Sequence, residues 1–159
     1  MAKRILIMGL PGSGKTTLAH QLQKKLSADW FNADEVRKQF NDWDFSEAGR
    51  IRQSHRMREL CNASKAEYSI VDFVCPLPEM REIFDADITV WIDTIRQGRF
   101  EDTNKLFVPP DHWDFCVTEQ DAERWSTTIV SQIIRQNPLN SCGGPNATYS
   151  AATSTNTSW

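Results

Sequence analysis

The sequence predicts an α/β domain of three layers, in which helices cover both faces of a five-stranded parallel sheet. The chain has 159 residues, 40% hydrophobic and 25% charged, a balance typical of one globular domain with a full core. Short apolar runs alternate with amphipathic segments along most of its length. Because strands separated by helices are joined by right-handed crossovers, this alternation favours a doubly wound sheet.

Five short apolar runs are the predicted strands. The third is stopped by Pro76 and Pro78. The runs are RILIMG at 4–9, DWFNA at 29–33, YSIVDFVCP at 68–76, ADITVWID at 86–93 and HWDFCVT at 112–118.

Two predicted helices lie in the first quarter of the chain. The segment 16–26 places three leucines at intervals of four on one helical face: Leu18, Leu22 and Leu26. The segment DEVRKQF, 34–40, is a short helix that Asp34 is placed to cap.

Two further helices are predicted beyond the second strand. A long polar helix runs from Ser46 to about Ala66 and directs three residues inward: Ile51, Leu60 and Cys61. Thr118 and Asp121 resemble a capping box that opens the last helix. Its apolar stripe is Ala122, Trp125, Ile129, Ile133 and Ile134.

The stretch 140–159 differs in composition from the rest. It is rich in Ser, Thr, Asn and Gly and has no charged residue or helical period. We therefore expect a domain at 1–139 followed by a flexible polar tail at 140–159.

Charge and cysteine content exclude several classes of function. A net charge of −3 gives no bulk electrostatic attraction for nucleic acid or an anionic membrane. The four cysteines (Cys61, Cys75, Cys116 and Cys142) form no C-x-x-C pair, so neither a zinc site nor a disulfide framework is indicated. The apolar stretch at 5–11 is too short for a signal peptide or membrane span, and we expect a cytoplasmic protein.

The junction GLPGSGKT at 9–16 carries the strongest functional signal. It matches the P-loop pattern G-x-x-x-x-G-K-[ST] completely, with a predicted strand before it and a helix after it. Glycines let the backbone wrap a polyphosphate, Lys15 supplies a cation for the β and γ phosphates, and the Thr16 hydroxyl is a ligand for Mg²⁺. This context predicts ATP and Mg²⁺ as cofactors and the sheet order 2-3-1-4-5. The expected nucleotide contacts are Gly9, Pro11, Gly12, Ser13, Gly14, Lys15, Thr16 and Thr17.

Motors, switches and small-molecule kinases share this loop. In a small P-loop kinase, the acceptor of the phosphoryl group is expected beside the loop, after the second and third strands. Asp34 is suited to accept a hydroxyl proton or to hold Mg²⁺ through water, with a plain helix cap as its alternative role. Arg37 is suited to a bidentate grip on phosphate or sulfate. Lys15, Asp34 and Arg37 are the candidate catalytic residues. Asp72, after an apolar run, is a candidate for an ancillary magnesium role.

A local basic patch points to an anionic acceptor. Four arginines lie within nine residues of the long polar helix: Arg50, Arg52, Arg56 and Arg58. Since charged runs on helices are usually solvated, only part of this set is expected to contact a ligand. Phe45 and Phe100 are candidates for stacking on a base.

The chain resembles the adenylyl-sulfate (APS) kinases over most of residues 3–135. The loop GLPGSGKTTLA is similar to that family's G-L-S-G-[AS]-G-K-T-T-L-A, and NADEVR is similar to D-G-D-N-x-R. FSEAGRIRQSHR resembles F-S-x-x-x-R-x-x-N-x-R-R, FVCP resembles F-I-S-P, and FEDTNKLFVPP resembles F-T-G-I-D-x-P-[YF]-E-x-P.

The resemblance implies transfer of the ATP γ-phosphoryl to the 3′-hydroxyl of adenylyl sulfate, in sulfate assimilation. It matches Phe45 and Phe100 to two phenylalanines that sandwich the adenine, and Arg37 and Arg50 to arginines that hold the phosphosulfate. Asp34 matches an aspartate that assists the hydroxyl or orients magnesium. The resemblance also favours a homodimer. The implied acceptor contacts are Asp34, Arg37, Phe45, Arg50, Phe73, Val74 and Phe100.

The chain departs from the family pattern at several positions. Asn32 stands where the family has its first acidic residue, Glu35 where it has asparagine, Gln53 where it has another asparagine, and Cys75 where it has serine. The segment DTIRQGRFEDTNK is shorter than the family's lid, and Arg96 and Arg99 are its candidate cations.

Two alternatives to an APS kinase follow from these departures. The first is a P-loop kinase for another nucleotide-like or anionic acceptor. The second is a nucleotide-dependent switch or binding module, against which the arginine helix and the paired phenylalanines argue.

Overall fold

The computed structural model describes residues 2–136, which form one five-stranded sheet with helices on both faces. All strand pairs are parallel, and the order is β2-β3-β1-β4-β5, as the sequence predicts. The predicted tail at 140–159 lies outside the described residues. The strands are β1 (Lys3–Gly9), β2 (Asp29–Asn32), β3 (Tyr68–Phe73), β4 (Ile88–Ile92) and β5 (Phe115–Val117).

Six helices connect and follow these strands within the described range. The short helices α4 and α5 were not predicted, because each has too few residues to show a helical period. The helices are α1 (Lys15–Leu26), α2 (Ala33–Phe40), α3 (Glu47–Ala63), α4 (Pro78–Phe84), α5 (Glu101–Leu106) and α6 (Ala122–Gln136).

The central strand β1 is apolar throughout because both faces of the sheet are covered. Ile5 and Ile7 point to one face, where they meet α1 and α6 in a cluster with Leu18, Leu22 and Ile129. Leu6 and Met8 point to the other face, where they meet α3 and α4 in a cluster with Met57, Cys61 and Phe84. Because side chains alternate along the strand, β1 contributes to the apolar cluster under each of the two helical layers.

The first turns of α2 and α6 are capped by Asn32 and Asp121. The cap of α2 is Asn32, whose Oδ1 accepts the Glu35 N–H at 3.1 Å, so Asp34 lies inside the first turn with an exposed side chain. The helix α6 begins directly after Asp121, whose Oδ1 accepts the Arg124 N–H at 3.3 Å. Asp121 therefore caps this helix, and the capping box that it was expected to form with Thr118 stays a prediction.

Two predicted apolar faces are only partly right. Cys61 is buried in α3, but Ile51 and Leu60 are half-buried, and Gln53, Ser54 and Met57 complete the inner face. In α6 the stripe of Trp125, Ile129 and Ile133 is buried, whereas Ile134 is 45% exposed. No helix among residues 2–136 is long and apolar enough to cross a membrane.

Candidate nucleotide and acceptor site

The loop between β1 and α1 has a backbone that only glycines adopt readily. Gly12 and Gly14 have φ of +87° and +107°, in the left-handed region. At Gly9 a Cβ would lie 2.6 Å from the carbonyl oxygen of Ile92, so the loop approaches β4 too closely for any side chain. The predicted turn is therefore present, and the N-terminus of α1 follows it directly.

Lys15 is buried at the base of this loop. Its Nζ donates to the Leu10 carbonyl at 3.0 Å, and the residue is 9% exposed. Burial lowers the pKa of Lys15 to about 8. The carboxylates of Asp72 and Asp34 act in the opposite direction and raise this pKa, whereas the cation of Arg99 lowers it. Both carboxylates and the arginine thus lie within electrostatic range of the lysine that the sequence assigns to the phosphates.

Segments after β4 and β5 support the loop from outside. Thr94 Oγ1 donates to the Ser13 carbonyl at 2.7 Å, and Gln120 Nε2 donates to the same oxygen at 3.3 Å. A Cβ at Gly98 would lie 3.0 Å from both Cδ and O of Pro11, so this segment packs directly on the loop. Sequence reasoning missed Thr94 and Gln120, for which the available signal was their position just after predicted strands.

A hydrogen-bonded chain of polar side chains leads from the sheet to Thr16. Trp30 Nε1 donates to Asp72 Oδ2 at 2.6 Å, and Asn32 Nδ2 donates to Asp72 Oδ1 at 2.9 Å. Asn32 Nδ2 also makes a long contact of 3.5 Å to Thr16 Oγ1. Asp72 is 2% exposed, and burial raises the pKa of its carboxyl.

The donor set around Thr16 fits a magnesium ion that arrives with a nucleotide. Magnesium is usually held by few protein oxygens together with phosphates and water. The Thr16 hydroxyl is exposed at the start of α1, and the carboxylates of Asp34 and Asp72 lie in range of Lys15. Within residues 2–136 no group of three or more His, Cys, Asp or Glu side chains could hold a metal alone.

Arg37 and Arg50 form a second buried cationic centre around Phe45. The guanidinium of Arg37 lies 4.3 Å from the ring centroid of Phe45, and that of Arg50 lies 5.5 Å from it. Arg37 donates to the carbonyls of Asp42 and Asp44, and Arg50 donates to that of Phe45.

Both guanidinium groups of this centre are buried without an ion pair to any carboxylate within residues 2–136. Arg37 and Arg50 are 4% and 9% exposed, and burial lowers the pKa of each. In the described part of the chain neither forms an ion pair. Since buried charges are normally paired, two such arginines side by side are suited to an anionic ligand.

The other predicted acceptor residues differ in their placement. Phe45 and Phe100 are 50% and 57% exposed, and Asp102 is close enough to Arg50 to act on its pKa. The side chain of Phe73 instead packs in the core against Phe84, with ring centroids 6.2 Å apart. Val74 is half-buried. An acceptor contact from Phe73 would therefore have to come from its backbone.

The remaining arginines of α3 have partners within the protein. Arg52 binds Asp42 at 2.9 Å and Asp44 at 3.1 Å, and Arg56 binds Asp42 at 3.0 Å. Arg58 donates to the Ile83 carbonyl at 3.2 Å. These contacts hold the α2–α3 connection and α4 against α3. Of the four arginines in the basic patch, Arg52 and Arg56 thus pair with carboxylates, whereas among the described residues Arg50 and Arg58 donate to backbone carbonyls.

The two candidate lid cations, Arg96 and Arg99, have different surroundings. Arg96 is 87% exposed at its side chain and pairs with Asp93 at 3.0 Å. Arg99 lies near Phe100, 5.7 Å from its ring centroid, and its charge acts on Lys15. Arg99 is thus the candidate lid cation whose charge reaches the loop.

Comparison with known proteins shows one family and a fold that several solved kinase structures share. A family model described as AAA domain matches residues 5–125. No curated protein matches the sequence at a significant level.

Three solved structures illustrate the fold. The APS kinase CysC of Mycobacterium tuberculosis, in complex with AMPPNP and APS, is 20% identical with a TM-score of 0.69, over 82% of this chain and 96% of that one. A shikimate kinase from Acinetobacter baumannii, in complex with shikimate, is 16% identical with a TM-score of 0.61, over 86% of this chain and 96% of that one. A gluconokinase from Sinorhizobium meliloti is 15% identical with a TM-score of 0.61, over 87% of this chain and 97% of that one. At these identities the likeness is one of fold.

Proposed function

This chain belongs to the AAA-domain family, and we propose that it is a kinase that transfers the γ-phosphoryl of ATP to the 3′-hydroxyl of adenylyl sulfate. The products are ADP and 3′-phosphoadenylyl sulfate. A fold shared with small-molecule kinases supports the reaction class. The single observation that carries the choice of acceptor is the pair of buried arginines, Arg37 and Arg50, flanking the exposed ring of Phe45.

The donor half of the reaction rests on the glycine-rich loop. Its N–H groups and the positive end of the α1 dipole surround the β and γ phosphates, and Lys15 is the cation beneath them. The Thr16 hydroxyl would help to hold magnesium, and the ion would supply positive charge to neutralise the negative charge that develops during transfer. Lys15 Nζ, which donates to the Leu10 carbonyl in this structure, is the cation available to stabilise that charge.

The acceptor half of the reaction rests on residues in and beside α2, α3 and α5. Phe45 and Phe100 take the adenine between them, and Arg37 with Arg50 binds the phosphosulfate. Asp34, exposed in the first turn of α2 and in electrostatic range of Lys15, receives the proton of the attacking hydroxyl or orients magnesium. In phosphoryl transfer such positioning supplies much of the barrier reduction.

A kinase for another anionic or nucleotide-like acceptor is the second candidate. Asn32 and the short segment between β4 and α5 favour it, since both depart from the APS kinase pattern. A panel of acceptors at fixed Mg·ATP, with adenylyl sulfate, AMP, shikimate, gluconate and no addition, separates the two. Adenylyl sulfate should give the highest rate of ADP formation. A higher rate with another compound would replace it as the acceptor.

A nucleotide-dependent switch or binding module is the third candidate, and the arginine pair beside Phe45 argues against it. The same panel tests this case. ADP formation that no added compound stimulates would favour a switch over a kinase. Homodimerisation and a cytoplasmic location stay predictions.

A further inference from the structure

Asn32 joins three elements of the fold because its amide uses both polar atoms. Nδ2 donates to Asp72 on β3 and makes the longer contact to Thr16 at the start of α1. Oδ1 caps α2 through the Glu35 N–H. A primary amide offers two N–H donors and a separate acceptor oxygen, whereas a hydroxyl has only one donor and an ionised carboxylate has none, so neither can make this set.

The carboxylate that Asn32 contacts is held from its other side as well. Trp30 Nε1 donates to the second oxygen of Asp72 at 2.6 Å, so each oxygen of a carboxylate that is 2% exposed has one N–H donor. Asn32 and Asp72 are neighbours in the register of β2 and β3, which fixes their separation. These contacts therefore fix the position of the Asp72 carboxylate near Lys15 and Thr16.

We propose that Asn32 is a positioning residue for the magnesium-bound nucleotide. Its N–H₂ group fixes the Thr16 hydroxyl and the Asp72 carboxylate relative to each other, and Trp30 secures the far side of that carboxylate. The amide oxygen meanwhile fixes the first turn of α2, which carries Asp34. This inference rests on the proposed function in one respect, since it requires a magnesium–nucleotide complex at the loop.

The test separates the two halves of the amide. Asn32→Ser keeps a side-chain oxygen suited to an N-cap, so α2 stays capped, but it removes the N–H₂ donors. Trp30→Phe keeps an aromatic ring and removes the donor to Asp72. Asn62→Ser is the matched control, because Asn62 is exposed and accepts from Arg4, away from the loop. Calorimetry then measures the Kd of AMP-PNP for each protein in MgCl₂ and in EDTA.

Asn32→Ser should raise the Kd of AMP-PNP in MgCl₂ by about tenfold, which is in the range seen when groups that orient a metal ligand are removed. Trp30→Phe should raise the same Kd. Neither should change the Kd in EDTA more than about twofold, and Asn62→Ser should change neither value. Equal weakening in both conditions would indicate a general structural role and overturn the inference, as would no weakening. If the wild-type chain failed to bind AMP-PNP at all, the proposed function would fail and take the inference with it.

Discussion

The guanidinium of Arg37 lies 4.3 Å from the ring centroid of Phe45, and Arg50 approaches the same ring at 5.5 Å. The two cations are buried, form no ion pair among the described residues, and adjoin an aromatic ring that is half exposed. A planar base and an anionic group would complete this arrangement, since the ring offers a face for stacking and the arginines offer N–H donors. The predictions on the acceptor side follow from it.

Replacing Arg50 by methionine should raise the KM for adenylyl sulfate by about tenfold or more, or about 1.4 kcal/mol, and leave the KM for ATP nearly unchanged. The reason is that a donor to the acceptor's anion is lost while the loop is intact. Arg52→Met is the matched control on the same helix, because Arg52 is already paired with Asp42 and Asp44. Steady-state kinetics with each substrate varied in turn measures both values. An equal rise of the acceptor KM in the two variants would remove Arg50 from the site.

Lys15→Met should lower kcat by about 10²–10³-fold, because a preorganised cation at the transferring phosphates is lost. Lys24→Met provides the control, since Lys24 lies exposed in the last turn of α1. Single-turnover measurement of ADP formation isolates the chemical step. A kcat within about twofold of wild type would mean that another cation serves the phosphates.

Asp34→Asn should lower kcat by about 10²-fold or more with little change in either KM, because the carboxylate acts on the proton of the attacking hydroxyl. Glu35→Gln removes the neighbouring exposed carboxylate of α2 and should leave kcat almost unchanged. Kinetics of both variants across a range of MgCl₂ distinguishes the proton from the metal: recovery at high magnesium would assign Asp34 to the ion.

Arg99→Gln should lower kcat by about tenfold, whereas Arg96→Gln should have no measurable effect. Arg99 acts electrostatically on Lys15, while Arg96 is exposed and paired with Asp93. The comparison of the two single variants is itself the control, since each removes one charge from the same segment. The reverse ranking would show that the segment is arranged differently when substrates are bound.

The thiols of Cys61 and Cys75 should resist alkylation at pH 8 in the native protein. Burial raises the pKa of each to about 12, so less of each thiol is ionised at pH 8 than in an unfolded chain, on the order of one part in ten thousand. Peptide mapping after iodoacetamide treatment, with a denatured sample as reference, measures the labelling. Rapid native labelling of Cys75 would mean that the segment after β3 opens to solvent.

The sequence was sufficient for the architecture because hydrophobic runs and turn residues report directly on buried strands and their ends. The apolar run of β1 and the glycines at 9, 12 and 14 fixed both the central strand and the loop that follows it. The helix caps were less predictable. Asn32 and Asp34 are both good capping residues two positions apart, and the register of β2 against β3 decides between them.

The site was harder to predict where it depends on contacts between distant segments. Thr94 and Gln120 meet at the Ser13 carbonyl although they lie more than 80 and 100 residues from it in the chain. The division of the arginines in α3 also follows from tertiary contacts, since Asp42 takes Arg52 and Arg56. No periodicity in the sequence reports such partners.

The measurement that tests the central claim most directly is ADP formation by the purified chain with Mg·ATP, with and without adenylyl sulfate, followed by identification of the nucleotide product. We expect strong stimulation by adenylyl sulfate and a product phosphorylated on the 3′-hydroxyl. ADP formation that adenylyl sulfate does not change, in a protein that binds ATP, would contradict the assigned acceptor.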